Sequence, residues 1–403
     1  MKKFLLWLIV ILMLISALGF FVSQRMAIGE KTDSAESAKA AAAPVAQPAA
    51  SAAPVSEPTP RPTPEPTPEP TPEPTPEPQP EFFVISYIGD LTLVSHQHST
   101  DYQTKMNGDY SYPLSNVSSL LKEDEYTIGN LECSFSDEPL WSSRTFYFRA
   151  PSEYAQILTE GGVDFVTTAN NHTDDFGDKG IKDTCAALEA YGVPYGVNDQ
   201  AQVVETPNGL KLGIYCQFSR AYGDYRPDLD SALAGIEKLK QEGAEYIICA
   251  FHWGIELHYR PEQSQIDIGR ACIDAGADMI YGSHPHCLQP AEEYNGGIIL
   301  YSMGNFSFGG HNAPSDPDTA IVQVLMKRDL DGSVSHVSYT IIPCSVSSRP
   351  ALEGYTGPGY NDYRPTPYDA DDPAYERAMS KVTGEYTGPN GEANYDAWHE
   401  SHG

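Results

Sequence analysis

Six apolar runs of this chain each break into residues able to bind a cation or move a proton. Phe82–Ile88 runs into Gly89-Asp90, Tyr126–Ile128 into Gly129-Asn130-Leu131-Glu132, and Phe165–Thr168 into Ala169-Asn170-Asn171-His172. Tyr246–Phe251 runs into His252-Trp253-Gly254-Ile255-Glu256 and Met279–Tyr281 into Gly282-Ser283-His284-Pro285-His286, while Ile298–Ser302 precedes Gly304-Asn305-Phe306. Carboxylate, amide oxygen and imidazole together suit Mn, Fe or Zn better than a pure Ca or Mg cage. Two such ions about 3.5–4 Å apart could share one carboxylate and activate a water. Taken singly, the clusters have plainer explanations. An Asp after a strand commonly closes a turn, Glu132 could face solvent, Asn170-Asn171-His172 could cap a turn, and His252 could be a buried, satisfied histidine. His284-Pro285-His286 says more, because a rigid residue fixes how two imidazoles point. Six such clusters, each after a strand, point to one site outside the carboxyl ends of a sheet.

The elements that must position these residues alternate. Besides the runs above, Leu212–Cys216 is strand-like, and helical segments are expected at Ser152–Glu160, Lys179–Tyr191, Ser231–Gly243 and Gln263–Ala275. Strands alternating with helices predict an α/β domain. Val322–Met326 and Val334–Ile342 read as a closing hairpin across Arg328-Asp329-Leu330-Asp331-Gly332. The folded body is expected over 82–350, and 351–403, rich in Tyr, Pro, Gly and Asp, as an irregular tail.

Before the body, residues 1–25 read as a membrane anchor. Lys2 and Lys3 precede an uncharged run from Phe4 to Val22, long enough to cross a bilayer core. The lysines should stay in the cytoplasm, which puts the rest of the chain outside it. The expected location is thus the cell membrane, single-pass, with the main domain extracytoplasmic; a cleaved signal peptide is the alternative. Residues 26–81 form an Ala-rich, then Thr-Pro-Glu-Pro-rich linker with too little apolar surface to fold. Its prolines favour an extended, semi-rigid spacer.

The 403 residues carry 55 acidic against 25 basic side chains, a net charge of −30. That excess disfavours nucleic acid as a partner, since phosphates would be repelled across the surface. An anionic substrate remains possible where bound cations reverse the local sign. The seven cysteines contain no CxxC pair, so a zinc-ribbon or thioredoxin site has no support. Cys216 and Cys249 sit in apolar runs and read as buried residues.

The motifs from His252-Trp253-Gly254-Ile255-Glu256, with Pro261 and Gln265, through Ala275-Gly276-Ala277-Asp278 and Gly282-Ser283-His284-Pro285-His286 to Tyr301-Ser302-Met303-Gly304-Asn305-Phe306 closely resemble the CapA (poly-γ-glutamate capsule synthesis) family. Gly89-Asp90, Gly129-Asn130-Leu131-Glu132 and Ala169-Asn170-Asn171-His172 match its earlier motifs, so the resemblance runs from about Phe82 to Ile342. It implies a branch of the calcineurin-like metallophosphatases, with a four-layer α/β/β/α sandwich. By this resemblance Asp90, Glu132, Asn171, His252, His284 and His286 are the metal-ligand candidates for one or two divalent ions, Glu132 bridging. His172 stands where that superfamily places a general acid. Asn130, Asn170, Trp253, Glu256, Gln289 and Asn305 would line the substrate pocket or support the ligands. One departure matters: Thr92 occupies the position where metallophosphatases usually carry a further ligand histidine, and His96 and His98 do not match the spacing.

Three functions follow as expectations. One is a part in synthesis or export of poly-γ-glutamate or a similar capsule polymer, beside a membrane-bound synthase; the chain itself has no GxxxxGK[ST] loop for ATP. A second is a metal-dependent hydrolase of an extracellular phosphoester. The third is a metal-stabilised binding module without turnover, for which Thr92 is the argument.

Overall fold

The structure, a computed structural model, describes residues 78–96, 98–139, 141–349 and 359–388. The expected anchor and nearly all of the linker lie outside the described residues. Among the described residues no helix is long and apolar enough to cross a membrane.

The first strands are β1 (Glu81–Thr92), β2 (Tyr126–Leu131), β3 (Ser134–Phe135), β4 (Arg149–Ala150), β5 (Phe165–Thr167), β6 (Tyr195–Gly196), β7 (Gln200–Glu205) and β8 (Lys211–Gln217). Then come β9 (Tyr246–His252), β10 (Met279–Ser283), β11 (Ala291–Tyr294), β12 (Gly297–Leu300), β13 (Asn305–Phe308), β14 (Asp318–Arg328), β15 (Val334–Ser345) and β16 (Thr366–Pro367). One sheet has the order β16-β15-β14-β1-β2-β5-β6, with β13 also on β1; the other runs β11-β12-β10-β9-β8-β7. The strands that carry the polar clusters, β1, β2, β5, β9 and β10, pair in parallel within each sheet, so their carboxyl ends share an edge.

Alternation along the strands sorts side chains into three apolar layers. Ile85, Tyr87, Ile214, Ile248, Tyr281 and Val322 fill the space between the sheets. Leu91, Leu114, Leu158, Val166 and Leu188 pack the first sheet against helices including Gln156–Gly161 and Gly177–Ala190. Ile236, Leu239, Cys249, Ile266 and Ile280 pack the second sheet against helices Leu229–Gln241 and Gln263–Asp274. Helix, sheet, sheet and helix thus form four layers, with Tyr281 Oη bonded to Ile88 O (2.6 Å) across the middle.

Two local features aim the site. In β1, Ile88 and Leu91 face the same layer although three residues apart, and the β1–β2 register shifts between Tyr87 and Asp90. Such a bulge turns the following side chain, here Asp90. The chain then crosses between sheets after β12, and β13 joins β1 with Asn305 opposite Asp90. Asp90 N donates to Gly304 O (2.8 Å) at this crossing. A Cβ on Gly89 would sit inside contact distance of the Gly304 carbonyl, which is backbone and cannot swing away. Gly89→Ala should therefore lower stability by about 2 kcal/mol, as overpacking does, read from urea unfolding; a change below about 0.5 kcal/mol, the level of an ordinary surface substitution, would show that the crossing is not tight.

Within 351–403, the described residues 359–388 are not an irregular tail. They contribute β16 and the helix Pro373–Val382, whose Ala378 and Val382 are buried in the layer between the sheets. Asp372 caps that helix through Ala374 N (2.8 Å), with Pro373 at its first position, a start signal present in the sequence. The short helices Asp101–Met106 and Ser118–Leu121 and the edge strands β7 and β11 were also not expected from the sequence.

Candidate metal centre

Asp90, at the bulge, is fully buried. Its Oδ1 accepts from Asn130 Nδ2 (2.8 Å), and Asn130 Oδ1 accepts from Asn170 Nδ2 (3.0 Å). Asn170 Nδ2 also reaches Leu131 O (2.7 Å), and Asn170 Oδ1 accepts from His172 N (3.1 Å). This amide relay links β1, β2 and the loop after β5, and leaves Asp90 Oδ2 without a hydrogen bond, 3.3 Å from His286 Nδ1. Asn130 and Asn170 therefore act by orienting Asp90 and the loop that carries Asn171 and His172.

Glu132 follows β2 and is 1% exposed. Neither carboxylate oxygen has a hydrogen-bond partner. Oε1 lies 3.7 Å from His252 Nε2 and 3.9 Å from His286 Nε2. Ligand atoms of Glu132, His284 and His286 all fall within 4.8 Å of one another. His252, the last residue of β9, is held between Ser283 Oγ at Nδ1 (3.0 Å) and Asn171 Oδ1 at Nε2 (3.0 Å). His284 Nδ1 is buried without a partner, and its ring lies 4.7 Å from that of His252. His286 Nδ1 meets Asn305 Oδ1 (2.9 Å). All six residues expected as ligands thus stand in one connected cluster.

The backbone after β10 is strained to achieve this. His284 has φ 99° and His286 φ 54°. Bulky residues adopt such angles only where surroundings enforce them, and they throw both imidazoles toward Glu132.

Charge in this cluster is held against burial. Burial pushes the Glu132 carboxyl well up, partly offset by His286 and reinforced by Asp90. Burial pushes His252 and His284 well down, with neighbouring imidazoles adding to it. For His286, burial is outweighed by the Glu132 and Asp90 carboxylates, which raise it to about 10. Buried, unpartnered carboxylate oxygens are costly by themselves, so this donor set fits a divalent cation by its own chemistry.

His172 stands at the edge of the cluster. Its Nδ1 meets Asp175 Oδ2 (2.9 Å), which also accepts from Phe148 N (3.0 Å). The Phe148 ring packs edge-on at 4.6 Å. With Asp175 ionised, Nδ1 carries a proton and Nε2 is the atom free to exchange one. His172, Glu132, Glu256, His286 and Asn305 line a cleft of about 380 Å³.

Two of the residues expected to line the pocket or support the ligands stand away from the cleft wall. Trp253 is fully buried in the layer outside the second sheet, and its Nε1 donates to Tyr301 O (2.9 Å). Gln289 donates to His258 O (2.7 Å) and accepts from Gln265 Nε2 (3.1 Å). Neither lines the cleft; both brace the loops behind it. Thr92 is buried with Oγ1 unpartnered, on the strand beyond Asp90. Asp175, Phe148 and Phe308 were missed by sequence reasoning, although Asp175 follows His172 at the three-residue spacing that lets two side chains meet in a helical turn.

Residues 84–310 match the model of a family described as bacterial capsule synthesis protein PGA_cap. Over 266 residues the chain is 26% identical to the PGA biosynthesis protein CapA of Bacillus subtilis (strain 168), covering 61% of this chain and 68% of that one. Over 267 residues it is 30% identical to the capsule biosynthesis protein CapA of Bacillus anthracis, covering 60% of this chain and 64%, less than two thirds, of that one. A solved phosphatase from Mycoplasma pneumoniae aligns with a TM-score of 0.41 and 14% identity, over 66% of this chain and 94% of that one, a likeness too low to argue from.

Proposed function

This chain belongs to the bacterial capsule synthesis protein PGA_cap family, and from that premise we propose that it takes part in making or exporting poly-γ-glutamate or a similar polymer and that it carries a divalent-metal centre. In this reading it is held to the membrane by its N-terminal run, with the folded body outside the cytoplasm beside a membrane-bound synthase. Asp90, Glu132, Asn171, His252, His284 and His286 hold one or two ions, Mn, Fe or Zn before Ca. The observation that carries the reading is the set of buried atoms without a hydrogen bond: Asp90 Oδ2, both Glu132 oxygens and His284 Nδ1.

A second reading, a metal-dependent hydrolase, is favoured by the His172–Asp175 pair at the cleft. A divalent ion bound in the cluster would supply Lewis-acid polarisation of a phosphoryl or carbonyl oxygen. The chain's own residues do the rest. Asp175 fixes the His172 tautomer, so that Nε2 can hold and hand over a proton at a leaving oxygen. Phe148 covers one side of that ring and limits water. Asn130 and Asn170 keep Asp90 in place. Thr92, in place of a further imidazole, favours the third reading, a metal-stabilised binding module.

Metal content of the purified full chain and turnover on an aryl phosphate and on poly-γ-glutamate separate these. His172→Ala should keep its metal while turnover falls roughly 10²–10⁴-fold. Metal without turnover in the parent removes the hydrolase reading and leaves the binding module. A parent that takes up no divalent ion ends the proposal.

A further inference from the structure

The walls of the cleft say more about its ligand than the metal cluster does. Among the described residues its lining includes no lysine or arginine. Two arginines contact the loop that carries His172, but both are engaged by one carboxylate. Arg144 Nη2 meets Asp174 Oδ1 (2.7 Å) and Arg220 Nη1 meets Asp174 Oδ2 (2.8 Å), while Arg220 also donates to Asn171 O. Neither lines the cleft. Glu256 does line it, adding a carboxylate to the mouth of a protein already at −30.

Much of the rest of the wall is apolar. Phe146, Phe148, Leu257, Phe308 and Pro314 face the cleft beside His172 and His286. Phe308 lies 5.3 Å from the His286 ring, and Phe146 is 64% exposed with no apolar layer of its own. Leu257 holds φ 59°, a backbone angle a branched side chain rarely adopts. Phe146 is exposed and Phe308 and Leu257 are half-buried, and apolar side chains set around a few polar groups are the usual lining for a ligand's non-polar part.

We propose that the cleft takes a ligand with a single anionic head, phosphate-like, at the metal cluster and an uncharged aromatic or aliphatic group against Phe146, Phe148 and Phe308. A chain with a carboxylate on every unit would lay its second and third charges on these rings and on Glu256, with only the His172 and His311 imidazoles, and no lysine or arginine among the described lining residues, to meet them. About 380 Å³ holds one ring and its head group comfortably. This rests on the metal centre proposed above and does not depend on turnover.

The test uses the full chain loaded with Mn²⁺ and non-hydrolysable probes in titration calorimetry. Benzylphosphonate should bind on the order of tenfold more tightly than methylphosphonate, from the ring area removed from water. Phe146→Ala, at an exposed position where folding is not at risk, and Phe308→Ala should each pull that ratio toward one while metal content holds. Equal affinities in the parent, no binding of either probe, or a γ-linked glutamate oligomer that displaces benzylphosphonate at lower concentration than methylphosphonate does would each overturn the inference and leave the metal centre standing. A protein that takes up no Mn²⁺ is a different failure: it removes the centre, and the inference with it.

Discussion

On the proposed metal centre, Glu132→Gln should remove the divalent ion and yet, in chelator, make the fold more stable than the parent. The first effect follows from geometry: Glu132 Oε1 lies between His252 and His286, with His284 within reach, so removing its charge takes away the group that joins the ligands. A loss of roughly 100-fold or more in metal affinity is expected, at the upper end of what even supporting residues cost. The second follows from electrostatics. Without metal, this carboxylate is fully buried and has no hydrogen bond. A buried carboxylate that accepts no hydrogen bond carries a desolvation cost that a neutral amide of the same shape avoids, and His286 keeps Asp90 at 3.3 Å as its partner, so the gain is about 1–2 kcal/mol, or roughly 3 °C in Tm for a domain of this size. The sign with pH can be worked out. Burial raises the Glu132 carboxyl, and Glu132 and Asp90 raise His286 against burial. Both groups therefore hold protons more tightly folded than unfolded. Their contribution is present at low pH and is lost as pH rises, for Glu132 above its ordinary value of 4.5 and for His286 from 6.5 up to about 10. Metal-free parent should lose stability from pH 6 to 9, Glu132→Gln much less, and metal binding to the parent should release protons. Thermal unfolding with and without chelator, and calorimetry in two buffers of different ionisation enthalpy, read all of this. A variant that keeps its metal, or melts lower than the parent in chelator, contradicts it.

The cluster of candidate ligands was legible in the sequence because each member sits at the end of an apolar run. Composition marks such ends locally: His252 closes β9, and His284 and His286 follow β10. What joins them is not local. The sequence does not say that β12 and β13, five residues apart, belong to different sheets, or that Gly304 carries the chain across to Asp90. Nor does it separate side chains that face the cleft from those that brace it. Trp253 and Glu256 occupy one short motif, and one is sealed behind the sheet while the other lines the opening. The apolar cleft wall was invisible for the same reason. Phe146 and Phe148 come from the segment before β4 and Phe308 from β13, and neither segment shows a periodicity that marks a pocket.

Lys381→Met should lower stability by about 3–5 kcal/mol, the usual cost of removing one partner from a buried ion cluster. Lys381 is 1% exposed, and its Nζ meets Asp316 Oδ1 and Asp318 Oδ2, both at 2.6 Å. Arg377 adds two bonds to Asp318 (2.7 and 2.8 Å) and Tyr368 Oη a third (2.7 Å). The methionine fills the same space but leaves Asp316 buried without a cation, while Asp318 keeps Arg377 and Tyr368. Two buried carboxylates facing one guanidinium cannot be satisfied, so Lys381→Met combined with Asp316→Asn should recover a good part of the loss. Urea unfolding at pH 7 reads both, with the slope unchanged if the unfolded state is the same. Burial works against the Lys381 ammonium, yet Asp316 and Asp318 raise it above its ordinary 10.5. Its contribution is therefore complete at neutral pH and is lost only as pH climbs above that value. The cluster matters to the site because Asp316 directly follows Pro314 and Ser315 of the cleft wall. Tying that segment to the helix Pro373–Val382 holds the wall against the metal cluster. In Lys381→Met under conditions where it stays folded, Mn²⁺ should bind as in the parent while benzylphosphonate binds more weakly. Equal weakening of both would mean that the helix supports the whole centre rather than its apolar wall.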